Sequence, residues 1–174
     1  MSKTRKFHGN ELTYFTITVV GWQEIFTRRN FQDILVDVCN FSIENKGLNI
    51  YSYVIMPNHA HFIADSQNRS LGRIIAELKS FSAQKLISEI REFEQVSRKE
   101  RFFNAFRFYN KHFDREHQLW IEESHPVILE GNEMIEQKNE YIEMNPVKAG
   151  FVDEPHYWRL SSANADSPIT VSEL

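Results

Sequence analysis

The stretch Tyr51-Ser52-Tyr53-Val54-Ile55-Met56-Pro57-Asn58-His59-Ala60-His61-Phe62-Ile63-Ala64 constrains the fold more than any other part of the chain. β-Branched and aromatic side chains dominate both halves, and Pro57-Asn58 interrupts them as a turn. The segment therefore reads as an antiparallel hairpin with strands over Asn49–Met56 and His59–Asp65. Alternate side chains of a strand share a face, which puts His59 and His61 together and sends Ala60 to the other side. Two imidazoles so placed can converge on one metal ion, although a His-x-His pair is also met as ordinary strand residues.

The rest of the chain supplies partners for this hairpin. Thr alternates with Tyr, Ile and Val between Leu12 and Val20, which predicts a first strand. From Asn30 to Glu44 the residues Phe31, Ile34, Leu35, Val38 and Phe41 recur at helical spacing, and Gly47 stands where a C-cap belongs. Ser70 is placed to cap a long helix with an apolar stripe of Leu71, Ile74, Ile75, Leu78, Phe81, Leu86, Ile87 and Ile90, its basic residues Arg73, Lys79 and Lys85 facing outward. Arg101 to Lys111 is dense in Phe and Arg and fits a helix or an irregular segment; its aromatics read as core more readily than as base-stacking platforms. A fourth strand is expected from the extended pieces Gln118–Glu122 and Val127–Glu130, and a last helix from Asn132 to Met144, ended by Asn145-Pro146. This order predicts an α+β fold, a ferredoxin-like or RRM-like antiparallel sheet with helices on one face and the other open to substrate. One domain over residues 1–163 is expected, with Pro155–Ala163 lying against the body and the polar tail 164–174 fraying.

Composition narrows the class. With 41% hydrophobic and 25% charged residues the chain is an ordinary globular protein, and no apolar run approaches the roughly 18 residues that span a bilayer. The basic start Met1–Lys6 has no apolar core behind it, so a cytoplasmic protein that meets no membrane is expected. Cys39, the single cysteine, falls in an apolar helical stripe and reads as a packed side chain. A net charge of −4 opposes phosphate binding, but ten basic and five acidic residues between Arg69 and Lys111 leave that region at about +5. That region is equally a solvated helix of mixed charge. Lys3, Arg5 and Lys6 are either phosphate contacts or charge without a role.

A second constellation is Glu140-Tyr141-Ile142-Glu143-Met144-Asn145-Pro146-Val147-Lys148-Ala149-Gly150. On a helix Tyr141 and Asn145 are one turn apart and share a face, so a phenol and an amide oxygen can address one point. A tyrosine on an amphipathic helix is commonly no more than a packing residue. Taken jointly, however, Val54–Phe62 and Tyr141–Gly150 resemble the single-tyrosine His-hydrophobe-His, or IS200-like, transposases, in particular the REP-associated tyrosine transposases. Ser70–Ile75, Lys79-Ser80-Phe81, Leu119-Trp120 and Ser161-Ser162-Ala163 match family positions as well, so the resemblance runs from about Leu12 to Ala163.

The resemblance implies a metal-dependent single-stranded DNA endonuclease and strand transferase that acts near hairpins formed by imperfect palindromes. It gives His59 and His61 the places of metal ligands, Tyr141 that of the nucleophile and Asn145 that of a polar metal ligand, with Ala60 as the intervening hydrophobe. Mg2+ or Mn2+ is the implied cofactor, and single-stranded or hairpin DNA the implied partner of a monomer or homodimer. Arg73, Lys79, Lys85 and Lys148 are the candidate DNA contacts. Two positions depart from the pattern: many relatives have His where this chain has Glu143, and Gln where it has Ile121. Helical geometry turns position 143 away from the Tyr141–Asn145 face. An ordinary phenol is about 0.1% ionised at pH 7, so using the phenolate costs roughly 4 kcal/mol, much of which a divalent cation would have to offset. A 5′-phosphotyrosine link would keep the phosphodiester energy for rejoining. Two other readings fit the same residues: a hairpin-DNA-binding descendant that no longer cuts, and an unrelated metal-dependent hydrolase using the histidine pair alone.

Overall fold

A computed structural model describes residues 9–92, 96–109 and 118–174. Four strands, β1 (Thr13–Thr18), β2 (Leu48–Ile55), β3 (His59–Ser66) and β4 (Val127–Ile128), form one antiparallel sheet in the order β2-β3-β1-β4. The helices are α1 (Arg29–Lys46), α2 (Leu71–Glu92), α3 (Val96–Tyr109), α4 (Asn132–Glu143) and α5 (Asn145–Lys148). Short 3-10 turns lie at Val20–Trp22, Ile25–Thr27 and Pro155–Tyr157. This is the α+β, ferredoxin-like layout that the alternation of elements implies. Strands and long helices fall within a few residues of their sequence-derived bounds, and the Phe-rich stretch becomes the helix α3. The N-terminal arm with Lys3, Arg5 and Lys6, and Lys111 at the end of the basic region, lie outside the described residues.

Register follows from which side chains can be buried. Phe15, Ile17 and Val19 of the first strand segment and Ala60, Phe62 and Ala64 of β3 point to one face, where α1, α2 and α3 cover them in the main core. Phe62 stacks between Phe15 at 5.3 Å and Tyr53 at 6.4 Å, all three fully buried, each worth about 1.5–3 kcal/mol of burial. Ala60 pairs with Ile17 and Ile55 beneath this helix layer, which explains why the residue between the histidines is small. A bulge between Ile50 and Ser52 lets Tyr51 and Tyr53 serve opposite faces of β2. Gly47, at φ 73°, ends α1 in the left-handed region and donates its N–H to Ser42 O.

The opposite face is not wholly open, as the sequence reading had it. Helix α4 packs on β2 and β3 there and buries Ile142 among Tyr14, Val54, Met56, Ile63 and Leu129, a second and smaller core. The C-terminal segment closes the β2 edge through Ile55 N–H to Leu160 O and Ser162 N–H to Tyr53 O. The tail expected to fray is tied down as well: Ile169 is buried, Asn40 donates to Pro168 O, and Ser172 N–H donates to Ile50 O. One apolar side chain and the unpaired edge of β2 outweigh the polar composition of that segment.

A cluster of three cations joins α1 to α2. Glu77 receives Lys46 at 2.8 Å, Arg69 at 2.5 Å and Arg73 at 3.4 Å. Hydrogen bonds from Lys46 and then Arg69 hold its carboxyl down to about 2. Because the folded value is depressed, this contribution is whole above the ordinary carboxylate value of 4.5 and is lost as pH falls from there toward 2. Glu77→Gln is expected to be less stable at neutral pH and to show a flatter loss of stability between pH 4.5 and 2 in acid unfolding followed by circular dichroism.

Candidate active site on the second sheet face

The face that carries α4 also presents the two histidines. Thr18 pairs with His59 and Thr16 with His61, so the alternation of β1 lays Tyr14, Thr16 and Thr18 alongside Ile63, His61 and His59. The imidazole centroids are 4.7 Å apart at 76°. His61 is 5% exposed; its Nδ1 lies 2.8 Å from Thr16 Oγ1 and 2.9 Å from Tyr14 OH. Its Nε2 is buried and, among the described residues, makes no hydrogen bond. His59 Nδ1 lies 2.6 Å from Asn58 Oδ1, so the turn residue that starts β3 also orients the first imidazole.

Burial, then the nearby His59 and Lys138, pushes the His61 pKa down to about 3, and burial lowers that of His59. Both rings are neutral at physiological pH, the form that has a lone pair to give. In the tautomer that carries its proton on Nδ1, His61 donates to the hydroxyl oxygens and leaves the buried Nε2 lone pair free. Hydroxyl partners on one nitrogen and an orphaned second nitrogen are the arrangement expected of a metal-binding histidine. The donor set therefore fits a divalent cation. No group of three or more His, Cys, Asp or Glu is found among the described residues, so an amide, DNA or water would complete the coordination.

Helix α4 brings Tyr141 to the same place. Its ring lies 5.3 Å from that of His61 and 6.1 Å from that of Tyr14, edge-on to both. Tyr141 is 40% exposed, whereas Tyr14 is 9% exposed. Burial foremost pushes the Tyr14 phenol up to about 12, against a hydrogen bond with Thr16 and with a smaller upward push from Tyr141. Lys138, one turn before Tyr141, sets its Nζ 4.7 Å from the Tyr14 ring centre and 5.7 Å from that of Tyr141, and Lys148 Nζ is 5.8 Å from the latter. Asn145 is half-buried one turn beyond Tyr141, opening α5 after a break at Met144. Its amide makes no hydrogen bond among the described residues. Glu143 receives Asn139 Nδ2 at 3.0 Å, on the helix face turned from the tyrosine.

The four candidate DNA contacts separate. Lys148 stands beside Tyr141, but Arg73, Lys79 and Lys85 belong to α2, across the sheet from it. Arg73 is engaged with Glu77, and Lys85 Nζ sits 4.9 Å over the Phe81 ring. Lys79 does not face outward: its Nζ donates to Ile121 O and Glu122 O, each at 2.8 Å, and to Ser124 Oγ at 3.2 Å. Burial lowers its pKa to about 8. It is a clamp that ties the chain before β4 to α2. Lys79→Met, which keeps the stem and removes the donors, should cost about 1 kcal/mol or more in thermal unfolding, because the half-buried Ile121 carbonyl and the buried Ser124 hydroxyl lose a charged partner.

Tyr14, Thr16 and Lys138 were not candidates from the sequence. The Thr and Tyr alternation of β1 marked a polar face but not its pairing with β3, and only the register puts hydroxyls on His61.

An antiparallel sheet with a histidine pair and a helix-borne tyrosine on one face defines an α+β domain with a candidate centre for metal-assisted tyrosine chemistry. The family model described as "Transposase IS200 like" matches residues 10–121, well over half of the chain, and the protein belongs to this family. The match includes His59 and His61 and ends before Tyr141. Among solved structures, a REP-associated tyrosine transposase bound to a REP hairpin is similar with a TM-score of 0.61 at 15% identity, over 93% of this chain and 82% of that one. A protein from Deinococcus radiodurans R1 assigned as a transposase gives a TM-score of 0.43 at 19% identity, over 82% of this chain and 96% of that one. At these identities the first likeness carries the fold. No curated protein matches the chain at a significant level.

Proposed function

We propose that this protein is a metal-dependent endonuclease and strand transferase for single-stranded DNA at hairpin-forming repeats, working through a 5′-phosphotyrosine. The observation that carries the reading is the 5.3 Å approach of the Tyr141 ring to His61, between elements far apart in sequence, within a chain of a transposase family. The REP hairpin bound by the similar transposase makes hairpin DNA the partner of choice.

His59 and His61, with the Asn145 amide oxygen as a third donor, would hold Mg2+ or Mn2+. A cation bound there supplies Lewis acidity at a non-bridging phosphate oxygen and offsets charge building on phosphorus. Tyr141 is the nucleophile rather than Tyr14. Its ring is exposed, whereas the Tyr14 hydroxyl is committed to His61 and held as the neutral phenol. Attack forms the bond from Tyr141 Oη to phosphorus and breaks the P–O3′ bond; the phenol proton is released to water and the leaving 3′ oxygen takes one up. Lys138 and Lys148, beside the Tyr141 ring, attract the phosphate. The covalent link conserves the phosphodiester, so a new 3′-hydroxyl can reverse the step without a nucleotide cofactor. Three residues, Leu129–Gly131, join β4 to α4, and this short link supports a site made by one chain.

The test is incubation with end-labelled hairpin DNA carrying single-stranded arms, plus Mn2+, followed by denaturing electrophoresis. A denaturation-resistant adduct whose peptide maps to Tyr141 supports the reading. Phosphoester turnover without an adduct would mark a hydrolase, and binding without either would mark a DNA-binding protein.

A further inference from the structure

Beside His59 stands an indole that the chemistry above does not use. Trp22 is 63% exposed, and its ring lies 6.0 Å from that of His59 at 62°. Its backbone is in the left-handed region at φ 53°, directly after Gly21 at φ 64°. A bulky L-residue rarely adopts this conformation, and it persists only where the surroundings impose it. Here they do. Trp22 N–H donates to Val19 O at 3.1 Å, Val20 N–H to Leu119 O at 2.8 Å, and Gln23 Nε2 to Gly21 O at 3.0 Å. Val19 N–H also donates to Asn58 O at 2.9 Å, which ties this turn to the residue preceding His59.

The turn therefore forces a large apolar ring out of the core and fixes it beside the imidazole pair. Packing does not explain the choice: Val19 and Val20 are the buried residues of the turn, and glycine would relieve the backbone at position 22. We propose that Trp22 is a stacking platform for an unpaired nucleobase adjoining the phosphate held at His59 and His61, and so a substrate-positioning residue. A planar hydrophobic ring with an open face, at the edge of a phosphodiester-cutting centre, suits a flanking base of single-stranded DNA. Every base has a π-face, so the contact is sequence-tolerant, and it places the strand by stacking rather than by charge.

The inference rests on the DNA reading, and the experiment separates the two. The probes are a DNA hairpin with oligothymidylate arms and the same hairpin with abasic arms, equal in phosphate charge, both in EDTA so that nothing is cut. Binding is read by fluorescence anisotropy of the DNA and, separately, by quenching of tryptophan emission. Trp120 is buried and Trp158 is half-buried, so exposed indole emission belongs to Trp22. The unaltered protein should bind the thymidylate arms about tenfold more tightly than the abasic arms, with quenching only by the former. Trp22→Ala should bind both probes equally, at the level of the abasic one, and Trp22→Phe should restore most of the difference without the quenching. Trp22→Gly, which relieves the positive φ, serves in place of the alanine variant if that variant melts early. Equal binding of the two probes by the unaltered protein, or a Trp22→Ala variant that keeps the full difference, overturns the platform while leaving the DNA reading standing. Should binding require the cation, the same comparison is read with Mg2+ on the Tyr141→Phe background, and binding of neither probe there overturns both.

Discussion

Tyr141→Phe is expected to abolish the covalent DNA adduct and to lower strand cleavage by about 10⁴-fold or more, the scale on which removal of an essential nucleophile acts. Binding of single-stranded hairpin DNA should change by less than about twofold, since a ring without its hydroxyl keeps the contacts with His61, Tyr14, Lys138 and Lys148 and costs little. Single-turnover cleavage and filter binding on one preparation separate these quantities. The assignment of Tyr141 fails if cleavage persists, or if an adduct still forms and maps to Tyr14. The structure opposes the second outcome, because an attacking Tyr14 would have to leave His61 and shed a proton from a phenol raised to about 12.

His61→Ala is the other large effect. It removes the Nε2 that has no hydrogen-bonding partner among the described residues and leaves the Thr16 and Tyr14 hydroxyls only each other. Cleavage with Mn2+ should fall by about 10³-fold, a loss near 4 kcal/mol of transition-state stabilisation. A thermal shift gives a second readout that owes nothing to DNA. A cation at 100 times its dissociation constant stabilises the folded state by about 2.7 kcal/mol, so Mn2+ should raise the melting temperature of the unaltered protein by several degrees and leave His61→Ala unmoved. Tyr14→Phe belongs between them, since loss of a hydrogen bond to a ligand costs about 10–100-fold in metal affinity. A full Mn2+ shift in His61→Ala would place the cation elsewhere and remove the basis for the histidine pair as ligands.

How much of this could be read from residues alone depends on whether local pattern or register decides it. Period-two alternation at Tyr14–Val19 and at His59–Ala64 placed both strands and the shared face of the histidines, because a strand has only two sides. Gly47 marked the end of α1 because few other residues take its φ of 73° cheaply. By contrast, Thr16 and Tyr14 reach His61 through a pairing that involves forty-odd intervening residues. Nothing near either partner in sequence announces it. Lys79 was legible and misread: Ile75, Lys79, Ser82 and Leu86 form one inward stripe at spacings of four, three and four, but a lysine defaults to the surface unless carbonyls wait for it. The tail failed for the opposite reason, since the single buried Ile169 is invisible to average composition.

The connection between β4 and α4 has a consequence for assembly. Three residues reach at most about 10 Å when fully extended, so α4 is kept on a leash anchored at the first strand's margin. Handing that helix to a neighbouring molecule would mean peeling β4 from β1 first. Whatever the number of copies that gather on a strand of DNA, each would arrive with its own tools rather than borrowing from the next.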